Sequence, residues 1–213
     1  MMLRIVAAVC VLAAAAGTAA AQSGPFKRPP LERSFSQDAD IAQAVREKKA
    51  GAVAFDVELV GFGHCEQTDT TLARMANGRT AHFVTVTNAR RIALGVAVPI
   101  SQGGMSGITP GDYVVSSIFC KSGNHRNTLN GPYAAFQVRP GEVVNLGVLR
   151  LEVVVDDPSN IFFRKVTGLK KSVKGMTPEV RTKMKEEFPL AFPLAVERRM
   201  TLVGPPEVAV QKR

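Results

Sequence analysis

Between residues 52 and 60 the chain reads AVAFDVELV, and this strict alternation restricts its local structure more than any other feature. Val53, Phe55, Val57 and Leu59 project to one side of an extended backbone while Asp56 and Glu58 project to the other. The segment therefore predicts a half-buried β-strand. Further strand candidates follow at 81–87, 92–98, 112–120, 133–138, 142–155 and 161–166. Turn-forming pairs separate them: Asn77-Gly78, Gly103-Gly104, Pro110-Gly111, Asn130-Gly131 and Pro140-Gly141. Residues 142–155 are long for one strand, and Gly147 predicts a bulge or bend in their middle. About seven short strands without alternating helices predict a mainly β fold, an antiparallel β-sandwich over residues 52–166.

Helical patterning is confined to the flanks. Residues 37–51 predict a short helix capped by Asp38 or Ser36, with Ile41 and Val45 as its apolar face and Gly51 as its stop. Residues 167–213 predict a basic helical extension packed on the sandwich. Within it, Thr177-Pro178-Glu179 is a helix start, Val180, Met184 and Phe188 form an apolar stripe, and Pro189 ends the helix. The segment LAFPLAV (190–196) is expected to pack across the body, Thr201 to Val203 to add an edge strand, and 211–213 to fray.

The first 21 residues follow the pattern of a secretory signal peptide. Arg4 gives a positive n-region, Ile5 to Ala16 an apolar h-region, and Ala19-Ala20-Ala21 a cleavage site, so the mature chain is expected to start at Gln22. The apolar run falls short of the ~20 residues that span a bilayer, and Cys10 lies inside it rather than in a lipobox, which argues against anchoring and against lipidation. No later stretch is long and apolar enough to span, so a soluble, periplasmic or secreted chain is expected. Residues 22–36, rich in Pro, Ser and charge, read as a disordered linker.

Export bears on the two remaining cysteines, Cys65 and Cys120. Both fall at the ends of predicted strand regions, and an even count in an oxidising compartment predicts one disulfide between them. Metal ligation and a reactive thiol are the alternatives, because His64 adjoins Cys65 and His125 lies shortly after Cys120. The paired CxxC spacing of a zinc site is absent.

Without residues 1–21, which carry Arg4 and no acid, the chain holds 26 Lys and Arg against 18 Asp and Glu, a net charge of +8. Such a chain is attracted to polyanions, and export makes nucleic acid the least expected of them. The densest basic run, from Arg164 to Lys185, offers Lys170, Lys171, Lys174 and Arg181 as candidate binding residues. Its plainer reading is a charged loop followed by the solvent face of a helix.

Signs of catalysis are few. Gly104-Met105-Ser106-Gly107 lacks the G-x-S-x-G spacing of a nucleophile elbow and reads as a flexible glycine-rich hairpin loop. Gly61-Phe62-Gly63 lacks the third glycine and the helix of a dinucleotide loop. His82 sits among apolar neighbours as a core or edge residue. His64 and His125, with Glu66 or Asp69, remain as a candidate metal or hydrolytic group. The absence of Trp argues weakly against a carbohydrate module built on aromatic platforms, and no cofactor is indicated.

One stretch carries a resemblance. ITPGDYVVSSIFC followed by YAAFQVRPGEVVNLGVLRLE, covering Thr109 to Leu151 with one flanking residue at each end, resembles the strand and turn order of β-sandwich repeats related to carboxypeptidase regulatory domains, and of exported bacterial proteins built on them. The likeness covers about a fifth of the chain and consists mostly of turn chemistry. It implies a sandwich fold and a non-catalytic role, and it accounts for neither Cys120 nor the basic tail. The expectation is thus an exported, non-catalytic binding or structural module of the cell envelope, meeting an anionic component or another envelope protein. The alternative is a small periplasmic hydrolase or metal-binding protein using His64 and His125.

Overall fold

The computed structural model describes residues 37–61, 67–91, 100–101, 103–122, 125–155, 166–205 and 207–209. The expected signal peptide, the linker, and the strands at 92–98 and 161–165 lie outside the described residues. The rest is mainly β and forms two sheets.

The first sheet contains β1 (Gly51–Val60), β5 (Gly104–Ile108), β9 (Val143–Val155), β10 (Val166–Lys174), β11 (Ala195–Glu197) and β13 (Glu207–Ala209). Its order is β13-β10-β9-β1-β5, with β11 also pairing β9. The second contains β2 (Gln67–Ala76), β3 (Arg79–Arg91), β4 (Ile100–Ser101), β6 (Gly111–Ser122), β7 (His125–Asn130), β8 (Ala134–Val138) and β12 (Thr201–Leu202). Its order is β12-β8-β6-β2-β3-β4, with β7 also pairing β6.

The inward rows of both sheets meet in one core. Val53, Phe55, Val57, Leu59, Val144, Leu146, Leu149 and Leu151 from the first sheet face Leu72, Val84, Val86, Val115, Ile118 and Phe136 from the second. Tyr113 stacks on Phe136 with ring centroids 5.5 Å apart, and its hydroxyl donates to the Thr109 carbonyl at 2.6 Å. Each such side chain contributes about 1.5–3 kcal/mol on burial.

Contrary to the half-buried expectation, β1 is buried on both faces for most of its length. Ala52 and Ala54, the small residues of its alternation, admit a helical layer on the outer side. That layer is α1 (Asp38–Arg46) and α2 (Pro178–Glu187), joined by Phe192 in a 3-10 turn. Ile41, Val45, Met105, Val180, Met184, Phe188 and Phe192 form this second core. A nine-residue helix is unstable alone, so α1 depends on that packing.

Several expectations need correction. Helix α1 ends at Arg46, not near Gly51, and Gly51 opens β1 instead, where an added Cβ would come within 2.2 Å of Val138 Cγ1. Asp38 does not cap α1. Gln37 takes the N-cap position without a side-chain bond, and the Asp38 carboxylate accepts the N–H groups of Leu190 (2.8 Å) and Ala191 (2.9 Å). The sandwich does not stop at residue 166, because β10 continues the first sheet, and helix occupies only part of 167–213. The helix start is as expected, with Thr177 Oγ1 accepting from the Val180 N–H at 3.3 Å.

Residues 104–108 form no flexible loop. They make a buried strand antiparallel to β1, and of the described glycines near this turn Gly103 has the positive φ of 69°. The sheets are not wholly antiparallel either: β9 runs parallel to both β1 and β11. Long intervening chain permits parallel pairing, which a tight hairpin forbids. The count reaches thirteen strands among the described residues rather than about seven. At Gly147 the bulge is present: the register slips between Ala54 and Phe55, and Gly147 adopts φ 81°.

Candidate functional site

The four candidate basic residues do not form one open patch. On β10, Lys170 and Lys174 lie on the outer face of the first sheet, and Lys171 lies on the inner one. Lys174 Nζ pairs with Glu58 at 2.5 Å, and Glu58 also receives Arg150 Nη1 at 2.7 Å. Arg150 reaches on to Glu152 at 3.2 Å, and Glu152 lies across from Lys170 in register. The outer face at this end is therefore a cross-strand ladder of alternating charge, each exposed pair of which adds only a fraction of a kcal/mol.

Lys171 departs furthest from the surface role expected of it. It is 5% exposed, sits in the inward row between Leu169 and Val173, and donates from Nζ to the Val203 carbonyl at 2.6 Å. Its alkyl stem packs as an apolar chain while its tip ties down the segment beyond β12. Arg181, on α2, pairs with Glu197 of β11 at 2.6 Å. The Arg181 guanidinium, by hydrogen bond and charge, holds the Glu197 carboxyl below its ordinary range.

Cys120 is 3% exposed, lies opposite Thr68 on β2, and is disulfide-bonded. Cys65 lies outside the described residues, as do His64, Glu66 and the side chain of His125. His125 opens β7 opposite Ser122 in register. His82 is half-buried on β3 opposite Arg74, at the edge of the core rather than within it. Ser106 is buried in β5 opposite Val53, which removes the geometry of a nucleophile elbow.

Two surfaces escaped the sequence reading. One is the outer face of the second sheet, where cross-strand rows run Thr87–Asp69–Phe119–Thr128 and Thr85–Thr71–Ser117–Asn130. Asp69 organises it, accepting from Thr87 Oγ1 at 2.7 Å and Gln67 Nε2 at 3.0 Å. The alternation in QTDTT signals this face, although threonine in place of aliphatic residues hides it.

The other is the end of the first sheet where α1 hands over to β1. Residues 46–50 pack on the Arg139–Glu142 turn: the Gly141 N–H donates to the Ala50 carbonyl at 2.9 Å, and a Cβ on Gly141 would stand 3.0 Å from Lys48 Cγ. Lys48 takes φ 54°, a left-handed position at the helix end where glycine is usual. Arg46, Lys48, Lys49 and Arg139 are exposed here. Glu47 pairs with Lys49 at 2.5 Å, and Glu142 is engaged by the Arg198 guanidinium and the Arg139 N–H. The run Arg46-Glu47-Lys48-Lys49 is visible in sequence, but only the fold brings Arg139 and Arg198 beside it.

Among the described residues, the exposed large hydrophobic side chains are Leu190 (48%), Leu194 (47%) and Val196 (56%), all within one short stretch. Ala195 pairs with Val143, and Val143 with Ala52. Leu194 therefore stands at the same sheet end as Glu142 and Gly51, about one strand spacing from the Arg139–Glu142 turn and two, or ~10 Å, from the start of β1.

No family model matches the chain, and no curated protein matches it. Among solved structures, a leucine-rich repeat protein from Bacteroides thetaiotaomicron is similar at a TM-score of 0.34 and 13% identity. That similarity covers 48% of this chain, which spans 14% of the other protein's length.

Proposed function

We propose that the chain is an exported, non-catalytic binding or structural module of the cell envelope, drawn to an anionic partner by its excess of basic side chains. The observation that carries this reading is the way charge is held. Basic residues stand exposed on strands and tight turns of a body whose first sheet is buried on both faces at one end, so a partner meets preset charge rather than flexible arms. The start of the chain supports export, and the resemblance of residues 109–151 to carboxypeptidase-regulatory-like repeats supports a non-catalytic role. Cys65 is the proposed disulfide partner of Cys120.

Two measurements on protein from its native host test the reading. Mass spectrometry is expected to find Gln22 as the first residue and a Cys65–Cys120 link. Retention on envelope fractions is expected to fall steeply as salt rises, because exposed charges are screened beyond about 10 Å at 0.1 M ionic strength. Retention indifferent to salt, or an intact N-terminus, would overturn the proposal.

A further inference from the structure

We infer that the sheet end formed by residues 46–50, the Arg139–Glu142 turn and the 190–196 segment docks on an anionic phospholipid surface. The inference rests on the envelope reading above and gives that reading a location and a lipid partner.

The chain's net positive charge is the starting point, and the structure shows where it is balanced. Along the outer face of β10, Lys174 is matched by Glu58, which also takes Arg150. Arg181 and Arg199 share Glu197, and Lys171 is buried. At the α1–β1 corner the balance differs: Arg46, Lys48, Lys49, Arg139 and Arg198 share one site with two acids, Glu47 and Glu142. The corner thus keeps an excess of positive charge, and four of its five basic residues are exposed. Local backbone geometry holds it in place. The Gln43, Ala44 and Val45 carbonyls near the end of α1 accept the N–H groups of Glu47, Lys48, Lys49 and Ala50, which lessens the repulsion an anion would otherwise feel there.

Charge alone suits any polyanion. The neighbouring apolar chains select the lipid surface. Leu194 is about half exposed at the same sheet end, and Leu190 and Val196 flank it. Their neighbours Ala191 and Phe192 are buried in the second core, so the segment is fixed with its leucines turned outward. Basic side chains beside rigid, outward aliphatic ones match a headgroup layer over an acyl boundary: phosphates take the cations, and the leucines enter by a few ångströms. A dissolved polyanion would use the charges and leave the leucines in water.

The test is co-sedimentation of the purified protein with vesicles of phosphatidylcholine, with and without phosphatidylglycerol. Binding is expected only where phosphatidylglycerol is present. Each basic residue near a charged membrane changes affinity about fivefold, so the triple variant Lys48→Gly, Lys49→Ala, Arg139→Ala should bind about a hundredfold more weakly. Glycine at position 48 relaxes the left-handed backbone, which separates loss of binding from loss of fold. Leu194→Ser should weaken vesicle binding while leaving retention on an immobilised polyanion unchanged. Lys170→Glu with Lys174→Glu, on the ladder, should matter far less. If the corner variants bind vesicles like the parent while salt-sensitive envelope retention persists, this location is wrong and the envelope reading stands. Binding to the polyanion but not to vesicles would overturn the lipid assignment. Loss of both vesicle binding and envelope retention in the parent protein would remove the envelope reading itself.

Discussion

Tyr133 sits in the main core with 4% of its surface exposed, and burial pushes its phenol up to about 12 from the ordinary 10. Below pH 10 the phenol is protonated in folded and unfolded chains alike, and its contribution is complete. Between pH 10 and 12 the unfolded chain ionises first, so stability falls as pH rises through that window. Thermal melts across it should show the fall, and Tyr133→Phe should flatten it. A parallel decline in both proteins would assign the loss elsewhere. Lys171 shows why single residues mislead a sequence reading. Its charge marks it as surface, and only the register of β10 against β9 reveals that it occupies an inward position. Asp38 is similar: its place before a helix suggests a cap, while its carboxylate serves backbone far along the chain.

Among elements, Gly147 offers the sharpest test. It combines φ 81° with a close approach in which an added Cβ would come within 2.3 Å of the Lys174 carbonyl oxygen. Gly147→Ala should destabilise the fold by about 2 kcal/mol or more in urea unfolding, with β10 losing amide protection first. An unchanged midpoint would mean that the bulge relaxes freely. This element was legible beforehand, as were β1, β6, β8 and the stripe of α2, because aliphatic residues alternate or recur there at the period the backbone imposes. Strand β2 was not, since its inward positions include Thr68 and Thr70, which are fully buried but carry no apolar signature. Strand β5 was hidden by glycines that usually mark turns, and β10 by a lysine in its inward row. The corner beside α1 was out of reach for another reason. Its basic residues are close together only after β8 and β9 fold back on the α1–β1 junction.

For the whole molecule, the bonded Cys120 lies in β6, a central strand of the second sheet. With Cys65 as its partner, reduction should lower the unfolding free energy by about 4 kcal/mol, measured by urea unfolding with and without reductant. Equal stability in both conditions would argue that the bridge closes no long loop. The mainly β class and two-sheet arrangement were readable from alternation and turns, as were a helix on each flank and the packing of the C-terminal one on the body, whereas their meeting in one layer over the first sheet was not. That layer needs α1 from one end of the described chain and α2 with Phe192 from the other, and the Asp38 carboxylate joins them through Leu190 and Ala191. The order of assembly follows. Ile41 and Val45 can settle early on Ala52, Ala54 and Met105, yet Met184, Phe188 and Phe192 arrive some 150 residues later, so the second core stays incomplete through most of synthesis. The outer layer therefore closes last, and a chain cut short before Leu190 leaves that layer without Phe192 and the Asp38 carboxylate without its two backbone donors.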